Sequence, residues 1–537
     1  MFEAANRLGG MRGDLIGSMC AVTGKTVVEG DVEVSEGIDY ARFYTTTMKK
    51  FAALHDVDIT SKGTILVISP WNFPCAIPIG GIVAGLAGGN TVILKPATVA
   101  APVAWLFAKA FWDAGVPKEA LQVIITDREA LKELTTAPAI KHIILTGGTD
   151  TAQSIARINP STPLSAETGG KNAIILTASG DRDHAIMNIV TSAFGNAGQK
   201  CSACSLLLVE RSVYEDKNFQ DKLKDAATSI KVGSVWEAGN VVGPMITNRN
   251  DKLLQALTLE PGESWLVPPK FIDEKQYILA PTVKWGVKPG SYSFRTELFG
   301  PMLSVACIDN LQQGIELVNS LDYGLTSGLQ SLDENEQKLW KDSILAGNLY
   351  INRGITGAIV NRQPFGGMKL SAFGGGVKAG GPNYCACLVK ITDKPESNTD
   401  YKQSYPHAYE EEFAHARDIN KLYGEQNAFR YLPLKNMVLR LFPGDSNEEA
   451  EMIALATKLC HTPLTISFDP NDDRTTALSS TGCTLKKETL DEFLKTMRSY
   501  ERIRTCGADI PMEMYEEAAR RNKYIATAKP VKNGRVE

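Results

Sequence analysis

The chain has 537 residues, 43% of them hydrophobic and 22% charged, which is the composition of a globular protein with roughly three domains. Its 57 Lys and Arg nearly balance 61 Asp and Glu, and a net charge of -4 gives no electrostatic reason to expect nucleic acid or an anionic membrane as a partner. The longest apolar stretch, residues 77–87, is too short and too rich in glycine to cross a bilayer, so no transmembrane segment is predicted.

Ten cysteines in a chain of this length do not indicate a disulfide scaffold, and the N-terminus lacks the apolar core of an export signal. We therefore expect free thiols and a location in the reducing cytoplasm. The first residues, Met1–Arg7, have the pattern of a helix interior. This pattern predicts that the sequence begins partway into a longer protein.

Predicted helices occupy residues 3–55, with a break at 22–25, and strand and helix patterns then alternate from 63 to 145. The predicted strands are 63–69, 91–95, 121–125 and 142–145, and the helices between them are 78–89, 102–114 and 127–135. Such alternation predicts an α/β fold with a doubly wound parallel sheet. Ligands of these sheets bind at the carboxyl ends of the strands.

A second α/β stretch is predicted at 173–346, and a glycine-rich irregular stretch follows at 352–382. A polar linker that contains proline is predicted at 390–405, and one more βαβ-like unit at 438–468. No internal repeat at a solenoid period is evident.

Three short motifs contain the candidate chemistry. Asn72 lies within Pro-Trp-Asn-Phe-Pro, Glu167 begins Glu-Thr-Gly-Gly-Lys, and Cys201 lies in a glycine-rich, nearly uncharged segment. A thiolate is a nucleophile, an amide can stabilise an oxyanion, and a carboxylate can deprotonate water. Together these are the groups needed to oxidise an aldehyde through a covalent thioester.

Each of these residues also has a plainer interpretation. Cys201 taken alone fits a buried structural cysteine, Asn72 a turn residue, and Glu167 a solvated charge. Cys201 and Cys204 also form a C-x-x-C pair, which is found in thioredoxin-like redox sites and in zinc sites. A zinc site needs a second pair of ligands, and no metal is expected here.

Five motifs, in order, resemble those of the aldehyde dehydrogenase superfamily. They are Pro-Trp-Asn-Phe-Pro at 70–74, Leu-Lys-Pro-Ala at 94–97, Glu-Thr-Gly-Gly-Lys at 167–171, Gly-Gln-Lys-Cys-Ser at 198–202 and Glu-Leu-Phe-Gly-Pro at 297–301. The segments 198–203, 352–367 and 378–382 resemble most closely the L-glutamate γ-semialdehyde (pyrroline-5-carboxylate) dehydrogenase half of bifunctional proline utilization A. The resemblance covers about 10–390.

The resemblance implies the aldehyde dehydrogenase fold and a division of the chain into four parts. Residues 1–165 would form a doubly wound, parallel-sheet NAD-binding domain, and 166–350 an α/β catalytic domain that carries the nucleophilic cysteine. Residues 351–390 would return to the NAD-binding and oligomerisation region and include a substrate anchor loop. Residues 391–537 would form an extra, non-catalytic C-terminal α/β domain.

The implied reaction is oxidation of L-glutamate γ-semialdehyde to L-glutamate with reduction of NAD, the second step of proline catabolism. Cys201 would form a thiohemiacetal and then a thioester, Asn72 with the Cys201 backbone N–H would stabilise the oxyanion, and Glu167 would be the general base. Two alternatives stay open: a dehydrogenase for another aldehyde or semialdehyde, and a catalytically inactive fragment with a structural or lid role.

The resemblance also implies the residues that bind cofactor and substrate. The cofactor residues are Ser69, Trp71, Lys95, Gly147, Gly148, Glu297 and Phe299, and the substrate residues are Ser202, Gly357 and Ala358. Lys95 and Glu297 would bind ribose hydroxyls, and Phe299 would pack beside the nicotinamide. NADP is the alternative cofactor, because position 98 is Thr where NAD-preferring members often have Glu. The expected partners are a small aldehyde, further copies of the chain, and a proline dehydrogenase domain or subunit.

Overall fold

The computed structural model describes residues 1–247, 250–275, 277–507 and 509–536. The α-helices in chain order are α1 (Phe2–Gly10), α2 (Arg12–Thr23), α3 (Val27–Ala52), α4 (Ala76–Ala87), α5 (Ala101–Asp113), α6 (Arg128–Thr136), α7 (Thr149–Ile158), α8 (Arg182–Phe194), α9 (Arg211–Tyr214), α10 (Lys217–Thr228), α11 (Asp251–Ala256), α12 (Tyr292–Arg295), α13 (Leu311–Asn319), α14 (Glu334–Ser343), α15 (Tyr401–Ala408), α16 (Asn447–Leu459), α17 (Thr475–Leu478), α18 (Leu490–Thr496) and α19 (Met512–Arg520).

The strands in chain order are β1 (Val57–Ser61), β2 (Thr64–Ser69), β3 (Thr91–Pro96), β4 (Leu121–Val123), β5 (Ile140–Thr146), β6 (Leu164–Glu167), β7 (Asn172–Leu176), β8 (Cys204–Glu210), β9 (Ser264–Val267), β10 (Phe271–Asp273), β11 (Ile278–Leu279), β12 (Thr282–Trp285), β13 (Met302–Ile308), β14 (Tyr323–Gly324), β15 (Thr326–Gln330), β16 (Asn348–Ile351), β17 (Met368–Lys369), β18 (Ala372–Phe373), β19 (Val389–Asp393), β20 (Met437–Arg440), β21 (Leu464–Phe468), β22 (Thr484–Lys487), β23 (Arg502–Arg504) and β24 (Ile525–Ala526).

A six-stranded sheet has the order β18-β6-β5-β2-β3-β4, parallel except for the antiparallel edge strand β18. Along β2, Ile65 and Val67 face a core formed with α1 to α5, whereas Leu66 and Ile68 face a core formed with α6 and α7. Helices therefore cover both faces, and the predicted doubly wound sheet is confirmed. The predicted strands and helices of 63–145 are also confirmed, with ends within two residues of those observed.

A seven-stranded sheet has the order β16-β15-β7-β8-β13-β12-β9 and is parallel except for β9. Its central strands β7 and β8 are buried along nearly their whole length, as is typical of a parallel sheet covered on both faces. Cys201 lies in the turn that leads into β8. The glycine-rich stretch 352–382 contains only the two-residue strands β17 and β18 among its regular elements, which agrees with its predicted irregularity.

The C-terminal region contains a parallel five-stranded sheet of order β22-β21-β20-β23-β24. The predicted βαβ unit is confirmed as β20, α16 and β21. The capping box of Ser446 and Glu449 starts α16. Within the described ranges, no helix has both the length and the apolar character that a bilayer crossing requires.

The predicted linker at 390–405 is wrong in extent. Strand β19 pairs antiparallel with β1 through residue 393, and α15 begins at Tyr401. Polar composition obscured both elements, because β19 buries only one end and α15 contacts α16 chiefly through Tyr401 and Tyr405. Only 394–400 is irregular. The predicted domain boundaries at 165, 350 and 390 stay predictions, although β6 continues the first sheet to Glu167.

Candidate active site

A tight turn after α8 positions Cys201. The backbone φ angle is positive at three successive residues, Asn196 (53°), Ala197 (53°) and Gly198 (68°). A side chain at Gly198 would collide with the backbone of Gly300, so only glycine fits at this close approach. The turn therefore brings the Cys201 segment against the segment that follows Glu297.

The motif that begins at Glu167 contacts the backbone of Cys201. A Cβ on Gly170 would lie 2.8 Å from the Cys201 carbonyl oxygen, which explains the second glycine of the motif. Asn172 Nδ2 donates to the carbonyls of Cys201 (2.6 Å) and Ala203 (3.1 Å). Sequence reasoning missed Asn172, although a buried polar residue at the start of an apolar strand was a usable signal.

The thiol of Cys201 is held in its neutral form. Burial raises its pKa to about 12, and the carboxylates of Glu297 and Glu167 add to the rise. The backbone N–H groups of Cys201 and Ser202 act in the opposite direction. These N–H groups are therefore directed at the Cys201 sulfur.

Asn72 lies beside the same segment. It is buried, and its Nδ2 donates to the carbonyl of Gln199 at 3.0 Å, two residues before Cys201. A carboxamide has two N–H hydrogens. The second hydrogen has no acceptor among the residues that the structure describes.

A buried ion pair supports the loop that carries Asn72. Lys25 Nζ lies 2.7 Å from a Glu33 carboxylate oxygen and 4.0 Å from the centre of the Phe73 ring, and both side chains of the pair are at most 1% exposed. The Glu33 carboxylate accepts the N–H of Cys75 at 2.7 Å and that of the next residue at 3.1 Å, at the start of α4. Sequence reasoning missed this pair, because its partners come from α3 and the turn before it.

Glu167, at the end of β6, accepts the backbone N–H of Gly367 at 3.3 Å. Burial raises the pKa of Glu167 to about 8, while the charge of Lys378 and this hydrogen bond partly oppose the rise. Lys378 Nζ donates to the carbonyls of Gly347 (2.5 Å) and Gly366 (2.9 Å). Lys378 is a further residue that sequence reasoning left without a role, since the carbonyls that it binds, at 347 and 366, belong to two separate irregular segments.

The predicted cofactor residues lie around one end of the first sheet. The rings of Trp71 and Phe299 meet edge to face with centroids 5.7 Å apart. Glu297 accepts the N–H of Gly170 at 2.8 Å, and burial raises its pKa to about 7. Glu297 therefore lies next to the motif that contacts Cys201.

The remaining cofactor residues fit a dinucleotide. Ser69 ends β2 with a buried hydroxyl that has no hydrogen-bond partner within the described ranges, and burial lowers the pKa of Lys95 on the adjacent strand. Gly147 donates its N–H to the Glu167 carbonyl at 3.1 Å. Gly148 precedes α7, which has no side-chain cap, and free N–H groups at a helix start suit a phosphate.

The predicted substrate residues lie in two places. Ser202 is buried, and its carbonyl accepts Thr326 Oγ1 at 3.4 Å. Gly357 is exposed with a φ of 102°, and its carbonyl accepts the Tyr350 hydroxyl at 3.1 Å, while Ala358 is half-buried. Tyr350 lies near both places, because its hydroxyl donates to the Gly357 carbonyl and Cys201 lies nearby. Burial raises the pKa of Tyr350 to about 12, and Cys201 contributes to the rise.

Comparison with known proteins places this geometry in a family. The model of the aldehyde dehydrogenase family matches residues 1–392. The chain is 33% identical over 407 residues to the 1-pyrroline-5-carboxylate dehydrogenase of Geobacillus sp. (strain WCH70), covering 72% of this chain and 78% of that protein. The enzyme of the same name from Bacillus subtilis (strain 168) is 31% identical over 405 residues, with the same coverage of both chains.

Solved structures extend the similarity beyond the family model. Proline utilization A (PutA) from Corynebacterium freiburgense superposes with a TM-score of 0.87 at 37% identity, covering 99% of this chain and 55% of that chain. This chain thus spans about half the length of that PutA. The 1-pyrroline-5-carboxylate dehydrogenase from Thermus with bound NAD superposes with a TM-score of 0.69 at 31% identity, covering 73% of this chain and 79% of that one. The resemblance and the fold predicted from the motifs are confirmed, and the chain belongs to the aldehyde dehydrogenase family.

Proposed function

We propose that this enzyme oxidises L-glutamate γ-semialdehyde to L-glutamate with reduction of NAD, the second step of proline catabolism. The names of its relatives support this activity. The main structural support for the proposed activity is the packing of the segment from Glu167 to Asn172. This segment contacts the backbone of Cys201 on one side and the Glu297 carboxylate on the other.

In the first stage, the proton of the Cys201 thiol passes to solvent water, and the sulfur attacks the aldehyde carbon to form a thiohemiacetal anion. The charge that develops on oxygen is stabilised by the second amide hydrogen of Asn72 and by the Cys201 backbone N–H. NAD, when bound, accepts the hydride that leaves this carbon.

In the second stage, water attacks the resulting thioester. Glu167 takes a proton from that water, L-glutamate leaves, and the sulfur of Cys201 is regenerated. A carboxyl with a pKa of about 8 is well suited to accept a proton and to release it again near neutral pH.

We propose the binding roles that the family resemblance implies. Lys95 and Glu297 bind ribose hydroxyls, Ser69, Gly147 and Gly148 line the phosphate path, and Trp71 and Phe299 pack beside the nicotinamide. Ser202 and the backbone N–H groups around Gly357 and Ala358 hold the α-carboxylate of the substrate, as glycine-rich loops suit anions. NADP stays the alternative cofactor because position 98 is Thr.

The proposal extends to partners and location. The similarity to PutA supports a homo-oligomer and a proline dehydrogenase domain or subunit that supplies the substrate. No disulfide is seen among the described residues, which is typical of a cytoplasmic protein. We assign residues 391–537 a non-catalytic role.

Turnover on three aldehydes tests the proposed function. We expect kcat/KM for L-glutamate γ-semialdehyde to exceed that for acetaldehyde by about 100-fold or more, because only the former presents a carboxylate to the anchor loop. Succinate semialdehyde is the matched competitor. A preference for succinate semialdehyde would support the alternative substrate class, and a folded protein without any turnover would support a structural role.

The pH dependence of turnover tests the role of Glu167. A general base must be ionised, so kcat should rise with pH through the pKa of Glu167 near 8. Lys378→Met removes a cation that lowers this pKa, and the rising limb should move to higher pH by about one unit. Lys390→Met, which changes an exposed lysine of β19, is the matched control. If the rise of kcat with pH occurs at the same pH in Lys378→Met as in the wild type, Glu167 is excluded as the titrating base.

A further inference from the structure

Glu425, from the C-terminal region, pairs with both ends of the anchor loop, which is the loop of residues 353–362. One of its carboxylate oxygens lies 3.0 Å from Arg353 Nη1, and the other lies 3.5 Å from Arg362 Nη1. The three side chains are 29–39% exposed, so each ion pair is partly screened by water. The two arginines flank Gly357 and Ala358, and their separation sets the width of the loop between them.

Arg353 and the Gln363 amide connect Glu425 to Gly357 itself. Asn427 Nδ2 donates to Glu425 at 3.2 Å, and the Asn427 side chain lies 2.8 Å from the Gln363 amide. The Gln363 amide has two orientations: in one its Nε2 donates to Asn427 Oδ1, and in the swapped one, which lacks that bond, Gln363 donates to the Gly357 carbonyl at 3.3 Å and accepts from Arg353 at 2.8 Å. Tyr350 bonds the same carbonyl from the opposite side.

The segment that delivers Glu425 is itself fixed. Asp418 accepts the backbone N–H groups of Asn420 (3.2 Å), Lys421 (3.0 Å) and Asn427 (3.0 Å), which closes the segment into a loop. Arg417 and Phe429 pair through their backbones at its base. The carboxylate of Glu425 is thus presented by an ordered loop rather than by a free surface chain.

We propose that Glu425 is a positioning residue for substrate recognition: it holds the loop of residues 353–362 in the shape whose backbone N–H groups bind the substrate's α-carboxylate. This inference rests on the proposed function. Glu425 lies beyond residue 392, where the family match ends. The C-terminal region thus contributes to a site whose other proposed residues all lie within residues 1–392. Its contribution acts on binding and not on the chemistry at Cys201.

The test compares Glu425→Gln with the wild-type chain on three aldehydes. L-Glutamate γ-semialdehyde has the carboxylate and the amine, glutarate semialdehyde has only the carboxylate, and pentanal has neither. We expect KM to rise about 5- to 10-fold for both carboxylate substrates, the size expected from two partly exposed ion pairs, with kcat within about twofold. The kcat/KM for pentanal should not change. Asn427→Ala should give a smaller rise with the same substrate pattern.

Glu516→Gln is the matched control, because Glu516 is an exposed C-terminal glutamate that pairs with Arg520 at 3.2 Å, on α19. Thermal unfolding midpoints of all variants should agree with that of the wild type. The inference is overturned if Glu425→Gln matches Glu516→Gln on all three aldehydes, or if it lowers activity toward pentanal equally. Failure of the wild-type chain to prefer L-glutamate γ-semialdehyde over pentanal would instead reject the proposed function, and the inference with it.

Discussion

Cys201→Ala should reduce the turnover of L-glutamate γ-semialdehyde by about 10⁴-fold or more, because no covalent intermediate can form without the sulfur. The substitution removes one atom from a site whose backbone is held by Asn172 and by the approach of Gly170, so the fold should persist. The measurement is the rate of NADH formation under saturating cofactor, with circular dichroism to check folding.

Two cysteine variants serve as controls for this result. Cys460→Ala changes an exposed cysteine and should leave turnover unchanged. Cys204→Ala tests the C-x-x-C redox alternative, since Cys204 lies on β8 with its thiol donating to the Leu206 carbonyl at 3.3 Å. If Cys204→Ala were as inactive as Cys201→Ala while remaining folded, the thioester mechanism would have to be replaced by one that uses both sulfurs.

Glu167→Gln should stop the reaction after the first chemical stage. The amide cannot take a proton from the attacking water, and loss of a general base typically costs about 10²–10⁴-fold in rate. We expect a burst of NADH equal to the number of active sites, followed by a slow steady rate. Mass spectrometry should then find the acyl group on Cys201.

The matched control is Glu210→Gln, a glutamate at the end of β8 whose carboxylate accepts the N–H of Ala178. It should show no burst and a normal steady rate. A Glu167→Gln enzyme that lost the burst together with the steady rate would indicate that Glu167 acts before the thioester forms. In that case the carboxylate would be assigned to deprotonation of the Cys201 thiol.

Local sequence pattern predicts the elements of this fold whose residues alternate or repeat within a short window. The helix ending at Asp113 is an example, because its apolar periodicity reflects burial directly, and the strand ending at Ser69 was predicted from a continuous apolar run. The candidate nucleophile, amide and base were predicted differently, from compact motifs with unusual residues and from the family resemblance of those motifs. Strand β19 was missed because a strand in a two-stranded sheet carries little apolar signal.

Residues that act across large sequence separations could not be predicted. Glu425 meets Arg353 at a separation of 72 residues, and Lys25 reaches the loop of Phe73 from the turn before α3. A charged side chain of this kind looks in sequence like any solvated residue, because its partner is brought close only by the fold. Lys378 shows the same limit, since the carbonyls that it binds belong to turns with no periodic pattern.

The raised pKa of Cys201 has a consequence for the chemical stability of this proposed nucleophile. Peroxides and alkylating electrophiles react with thiolates and scarcely with thiols. Because burial and two neighbouring acids raise the pKa of Cys201, we expect the resting thiol to react slowly with such oxidants. The same surroundings that delay formation of the nucleophile thus preserve it between encounters with the aldehyde.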